Sequence, residues 1–173
     1  MKAIDIHAHI PRMPGIPEYG IESGLRRMFR MTDEPDDVLK MVETYRSIDT
    51  KAVIFSVDAE TETGDLPDPH EYIAKTVQEN SDVLIGFASV DPRKGDLAVE
   101  ELERAVTQLG LCGLKLHPIH QAFFPDDPKF TPLFAKAEEL GVPVIMHSGY
   151  AAAGANTPGG GGFELAYARP IPG

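Results

Sequence analysis

Residues 112–148 read CGLKLHPIHQAFFPDDPKFTPLFAKAEELGVPVIMHS. The stretch holds an apolar run at Cys112–His117, a polar loop, a helical pattern and a second apolar run at Val142–Ser148. Asp127-Pro128 is a helix-start signal, Leu133, Phe134, Ala137 and Leu140 recur at helical spacing, and Gly141 is a stop. Strand, helix and strand at these lengths make one βαβ unit, which sets its two strands parallel.

The same rhythm runs back to the N-terminus. Three more apolar runs occur at Ala3–His9, Ala52–Asp58 and Leu84–Asp91. From Val53 to Leu84, to Cys112, to Val142, the strand starts are 31, 28 and 30 positions apart. Helical patterns fill the gaps. One runs from Pro35 to Ile48, and one from Asp68-Pro69, read as its cap, to Asn80 with Tyr72, Ile73, Thr76 and Val77 on a face. A third runs from Asp96 to Gly110 with Leu97, Leu102, Val106 and Leu109 inward. The class is α/β with a parallel sheet buried on both faces, and Cys112 reads as a small apolar filler at the start of a buried strand. Two architectures fit, an open doubly wound sheet and a (β/α)8 barrel. A complete barrel takes about 250 residues, and the chain supplies about five strands. Residues 1–149 are expected to form this unit. Residues 150–173, YAAAGANTPGGGGFELAYARPIPG, have no helical period. Their glycines are not followed by Lys-Ser/Thr, so a loop over a binding site is expected there rather than a phosphate loop.

The chain has 173 residues, 16 basic against 27 acidic, for a formal charge of −11. Such a surface repels phosphate backbones and anionic membranes, which points away from nucleic-acid and lipid partners. One cysteine, Cys112, excludes an intrachain disulfide and a cysteine-rich zinc site. The opening MKAIDIHAHI is too polar for a signal peptide, no stretch has the length and apolarity of a membrane span, and a cytoplasmic location is expected.

Asp5-Ile6-His7-Ala8-His9 carries the first chemical signal. Period-two alternation puts His7 and His9 on one face together with Asp5. Two imidazoles at the carboxyl end of a parallel strand suit one divalent ion, and a mutually satisfied pair is the alternative. On the fourth strand Lys115 and His117 share a face opposite Leu114 and Leu116. A lysine in a buried strand is costly unless something uses or pairs it, so Lys115 and His117 are candidate catalytic residues. The competing role for Lys115 is an ion pair with a carboxylate such as Asp58. His147 ends the fifth strand at the level of the others. His120 and Gln121, in the loop after strand four, are candidate substrate contacts. So is Arg30, in Leu25-Arg26-Arg27-Met28-Phe29-Arg30-Met31, where an arginine suits a carboxylate; an amphipathic turn with Leu25, Met28 and Phe29 inward fits the same residues. His70 is expected at the surface, and Phe123, Phe124 and Phe130 in packing.

Taken together, D-I-H-A-H, G-L-K-L-H-P and V-I-M-H-S-G on strands one, four and five resemble the amidohydrolase superfamily, and within it the amidohydrolase-2 branch of metal-dependent hydrolases and aromatic-acid decarboxylases. The resemblance spans residue 1 to about 170. It implies a (β/α)8 barrel of TIM type with only about its first five strands present here. It also implies a divalent metal at the mouth, one zinc ion or else manganese, held by His7, His9 and His147. Lys115 falls at the position of a metal-bridging carbamylated lysine in two-metal members. The branch takes a further histidine after strand six and an aspartate after strand eight, neither of which this sequence contains. The implied function is a hydrolase in which metal-activated water attacks a small carbonyl-containing or carboxylic-acid substrate. Its alternative is a non-oxidative decarboxylase of an aromatic or unsaturated acid. From another class, an inactive half-barrel or an open-sheet binding protein remains. Unpaired strand edges add an expectation of self-association, as a homo-oligomer, of aggregation or of marginal stability.

Overall fold

The computed structural model describes residues 1–16 and 37–148, so Arg30 and the segment 150–173 lie outside the described residues. Strands β1 (Ala3–His9), β2 (Thr50–Phe55) and β3 (Leu84–Gly86) pair in parallel in that order, as do β4 (Leu114–Leu116) and β5 (Val144–Met146). The backbone joins the two sets where β3 leaves its ladder. Cys112 N–H donates to Gly86 O at 2.8 Å, Ala88 N–H to Gly113 O at 2.8 Å, and Lys115 N–H to Ala88 O at 2.7 Å. The strands therefore follow one another in chain order.

Helices α1 (Val38–Ser47), α2 (Glu60–Thr63), α3 (His70–Glu79), α4 (Asp96–Thr107) and α5 (Thr131–Glu139) fill the crossovers. The expected helices are all present. Asp127 opens its helical segment as the sequence suggested, accepting from Lys129 N–H, and Asp37, which the pattern did not single out, caps α1 by accepting from Leu39 N–H. Asp68 does not cap α3. Its carboxylate instead takes Met13 N–H at 2.9 Å and the Ser56 hydroxyl at 2.8 Å, tying the segment after β1 to the loop after β2.

The sheet has two apolar faces. Ala52, Ile54, Leu84, Leu114 and Leu116 pack outward with Val42, Ile73, Leu102, Ala105 and Leu133 of the helices. Val53, Phe55 and Phe87 turn inward with Val57, Ile85 and Ile145. Every residue from Ala52 to Phe55 is buried, as a central parallel strand requires. In α4 the buried face is Ala98, Leu102 and Ala105, while Leu97 is 67% exposed, a correction to the face read from the leucines. The small alanines let this helix approach the sheet closely. Cys112 is likewise exposed, because β4 begins only at Leu114.

His70 is also corrected. It is 7% exposed, with Nδ1 against the Glu101 carboxylate and Nε2 accepting Ser89 N–H at 3.1 Å. Glu101 is bound by Arg104 through Nε (2.7 Å) and Nη2 (2.8 Å), which with His70 holds its carboxyl down to about 2.

Gly113 explains how the inner face closes. A Cβ there would lie 2.3 Å from Phe87 Cε2. Gly113→Ala should therefore drive the Phe87 ring against its neighbours and cost about 1–3 kcal/mol in urea or thermal melts. Adding Phe87→Leu should recover part of that loss; no loss in the single variant would show that the inner face is not closely packed here.

Candidate active site

The inner face is apolar in its middle and basic at its carboxyl end. β1 presents His7 and His9, β4 presents Lys115, His117 follows β4 directly, and His147 follows β5. The order of strands brings these distant residues to one end of the sheet.

On β1 the pairing register slips between Asp5 and Ala8. Asp5 pairs with Ala52 and Ala8 with Ile54, so three steps on β1 match two on β2. Such a bulge inverts the alternation. Asp5, expected beside His7 and His9, leaves that face. Its Oδ2 accepts the Tyr45 hydroxyl of α1 at 2.8 Å, and its Oδ1 accepts His7 N–H at 2.9 Å. These two bonds, that of His7 first, hold Asp5 below the usual carboxylate range, while burial, and then the bond to Asp5, pushes Tyr45 up to about 12.

His7 and His9 face each other with their Nε2 atoms 3.3 Å apart. Phe55 packs edge-on under both rings, at centroid distances of 5.3 and 5.0 Å. Lys115 Nζ lies 4.8 Å from the centroid of the same ring. Phe55 is thus the shared floor of the site. Its face on β2 is not marked in the all-apolar run Ala52–Phe55, and its role needs the neighbouring strands.

The second half of the site is a stack of imidazoles. His117 lies between His120, at 3.6 Å between centroids, and His147, at 4.0 Å, all nearly parallel. His120 N–H points at His117 Nδ1 from 3.3 Å, which assigns the unprotonated nitrogen of His117 to Nδ1. His147 is anchored through its N–H to Leu116 O at 3.0 Å.

All these groups resist positive charge. Desolvation leads for His7, followed by the charge of Lys115. His9 is pushed down to about 4 by crowding of its ring, then by His7, Lys115 and His147. His120 is also pushed down to about 4, by burial and then by His147, His9 and Lys115. Burial also lowers His117 and His147, and brings Lys115 down to about 8. At neutral pH the imidazoles are neutral nitrogen donors.

Lys115 is 0% exposed, and among the described residues its Nζ has no hydrogen-bond partner; the same holds for His120 Nε2 and His147 Nε2. The ion pair with Asp58 does not form. Asp58 Oδ2 instead takes Lys94 Nζ at 2.8 Å and Asp91 N–H at 3.1 Å. Asp91 in turn accepts Thr61 N–H and Arg93 N–H, at 2.9 Å each. The buried carboxylates near this end are thus engaged with each other's loops.

His7, His9 and His147, expected to converge, form a close pair and a separate neighbour. Among the described residues no three His, Cys, Asp or Glu side chains group to hold an ion, and the His147 ring is stacked on His117. The His7–His9 pair nevertheless fits a metal. Two nitrogens on one tetrahedral ion, bonded at about 2.1 Å, stand roughly 3.4 Å apart, close to the separation seen. Gln121, expected at substrate, is fully buried with its amide bonded to main chain. Phe123 and Phe130 pack against each other in the core as expected. One charged residue near the mouth escaped the sequence reading. Arg12 reaches Asp68 at 3.5 Å and Leu66 O at 3.2 Å, and the only sequence signal was its place three residues after His9.

The amidohydrolase family model matches residues 4–171. The chain belongs to the amidohydrolase family. A curated relative, 2-amino-3-carboxymuconate-6-semialdehyde decarboxylase of Dictyostelium discoideum, is 32% identical over 78 residues, covering 45% of this chain and 22% of its own. Among solved structures, 5-carboxyvanillate decarboxylase of Sphingomonas paucimobilis superposes with a TM-score of 0.62 at 21% identity, over 87% of this chain and 52% of that one. The enzyme of the same name from Novosphingobium aromaticivorans, with bound manganese and a nitrobenzoic acid, gives 0.57 at 17% identity, over 90% and 51%. The chain spans about half the length of these structures and less of the curated relative. The five parallel strands and their helices are therefore part of an amidohydrolase (β/α)8 barrel, and the open doubly wound sheet is set aside. Among the described residues no helix is long and apolar enough to cross a membrane.

Proposed function

We propose that this amidohydrolase acts as a metal-dependent, non-oxidative decarboxylase of a small aromatic or unsaturated carboxylic acid. The observation that carries the reading is Lys115: a buried ammonium with no acidic partner among the described residues, on the face that also carries the histidines. A substrate carboxylate supplies the missing counter-charge. The engaged state of Asp58, Asp68 and Asp91 supports the same choice, since the groups left facing the site are nitrogen donors. The relatives named above carry decarboxylase names, and the manganese in one of them supports a divalent ion, zinc or manganese.

His7 and His9 would hold that ion, and His147 at the end of β5 is a further candidate donor. When bound, the ion polarises the substrate oxygens it touches. The chain's own residues do the rest. Lys115 pairs with the carboxylate, and the ring of Phe55 beneath it keeps water from that ammonium. Loss of carbon dioxide breaks the carbon–carbon bond and leaves its electron pair on the ring or alkene carbon, which must take one proton. Lys115, drawn down to about 8 by burial, is acidic enough to give that proton near neutral pH and to recover it from solvent. His117, stacked and neutral, lines the path beside it.

Carbon dioxide release from 2-amino-3-carboxymuconate-6-semialdehyde and 5-carboxyvanillate, with zinc or manganese added, tests the reading. Release that disappears in Lys115→Met supports it. Cleavage of an amide or lactone without carbon dioxide would instead establish the hydrolytic reading, in which metal-activated water attacks a carbonyl. The proposal places this chemistry in the cytoplasm and in a homo-oligomer, which cell fractionation and size-exclusion chromatography check.

A further inference from the structure

Gln121 is 0% exposed and makes three hydrogen bonds with its side chain, all to main chain. Its Oε1 accepts His117 N–H at 2.8 Å. Its Nε2 donates to Asp58 O at 2.7 Å and to Val90 O at 2.9 Å. Gln121 N–H also returns to His117 O at 2.9 Å, so His117 is gripped at both ends of its residue. Asp58 lies after β2, Val90 after β3 and His117 after β4. One amide therefore ties together the carboxyl-end loops of three successive strands. The orientation of the amide is unambiguous, because a flip would set its NH2 against the His117 N–H and its oxygen against two carbonyls.

The bonds have a direction of influence. His117 sits in a tight turn in which Phe123 N–H reaches Pro118 O at 3.0 Å and Ala122 takes a φ of +49°. A non-glycine residue at that angle persists only where its surroundings hold it. The imidazole leaving this turn is sandwiched between His120 and His147. The Asp58 peptide held by Gln121 carries the carboxylate that binds Lys94, which leaves Lys115 without an acidic partner among the described residues.

We infer that Gln121 is a positioning residue: it fixes the His117 imidazole between His120 and His147 by clamping the His117 peptide to the loops after β2 and β3, and it does not touch substrate. The assignment concerns the arrangement of the site and is independent of which reaction the enzyme performs.

The test uses the 173-residue chain with 15N-labelled histidine and glutamine, each histidine ring signal assigned by single substitution. In the unaltered chain the Gln121 side-chain NH2 should exchange far more slowly than that of an exposed glutamine; exchange at the free rate would overturn the inference without any variant. In Gln121→Met the ring signals of His117, His120 and His147 should move together away from their stacked positions. The His117 amide should lose about tenfold or more of its protection from exchange. In Gln121→Glu the carboxylate still accepts His117 N–H but faces two carbonyls. The amide should stay protected while the ring signals move. Leu102→Ala, in α4 on the outer face, serves as the comparison for general loss of stability. Ring signals that stay fixed in Gln121→Met, or that move equally in Leu102→Ala, would assign Gln121 to ordinary packing.

Discussion

Replacing Lys115 by methionine is expected to stabilise the metal-free chain by about 2–3 kcal/mol at pH 7. The stem of the side chain is already packed, and only the ammonium is out of place. Lys115 is fully buried, and among the described residues its Nζ faces the ring of Phe55 with no acidic partner. Burial lowers it from its ordinary value near 10.5 to about 8. That difference converts to about 3 kcal/mol, at roughly 1.4 kcal/mol per tenfold change in proton affinity, and the lost ring contact takes back some of it. The sign follows from proton counting. Between pH 8 and 10.5 the unfolded chain holds this proton more firmly than the folded one, so folding gains as pH rises through that window. The penalty is present in full below about 8 and gone above about 10.5. The gap between the two proteins in urea melts should therefore be widest at pH 6–7 and close by pH 10.5. A gap of constant size, or a variant less stable at pH 7, would mean that Lys115 is paired in solution.

The same residue shows why part of the site could be read from the sequence. Leu114 and Leu116 flank Lys115 in a run too apolar for a surface strand, and period-two alternation then sends the lysine inward. The strands and helices were legible for a similar reason: a parallel strand buried on both faces is an unbroken apolar run, as at Ala52–Phe55. Alternation failed at Asp5, because a bulge adds one residue without leaving a mark in the pattern. Helical spacing misplaced Leu97, since Ala98 and Ala105 decide the face of α4 by being small, and a leucine one position away looks like the better core residue. The burial of His70 depends on Glu101, 31 positions on, which only the packing of α3 on α4 brings near. The place of Gln121 in the loop after β4 is all that its sequence position shows. Its partners are main-chain atoms of His117, Asp58 and Val90, which no residue type announces.

His7→Ala is expected to lower the affinity of the chain for zinc or manganese by more than about a hundredfold, the upper range for losing even a group that only supports a ligand. Its Nε2 and that of His9 stand 3.3 Å apart, the spacing one tetrahedral ion needs, and with His7 gone His9 is left without its close partner. His7 is exposed, so the metal-free variant should melt close to the unaltered chain. The difference appears on adding metal. An ion that binds only the folded state at a hundred times its dissociation constant stabilises it by about 2.7 kcal/mol. The unaltered chain should gain that amount, and His7→Ala should gain no more than about 0.4 kcal/mol at the same concentration. His70→Ala supplies the converse. It removes a buried ring bonded to Glu101 and Ser89, far along the chain from the His7–His9 pair. That variant should melt lower in every condition and still respond to metal in full. If metal leaves the unaltered chain unmoved, or shifts His7→Ala as far, then the two imidazoles are a mutually hydrogen-bonded pair. Their facing nitrogens would share a proton in place of an ion, and the metal would have to be held elsewhere in the barrel.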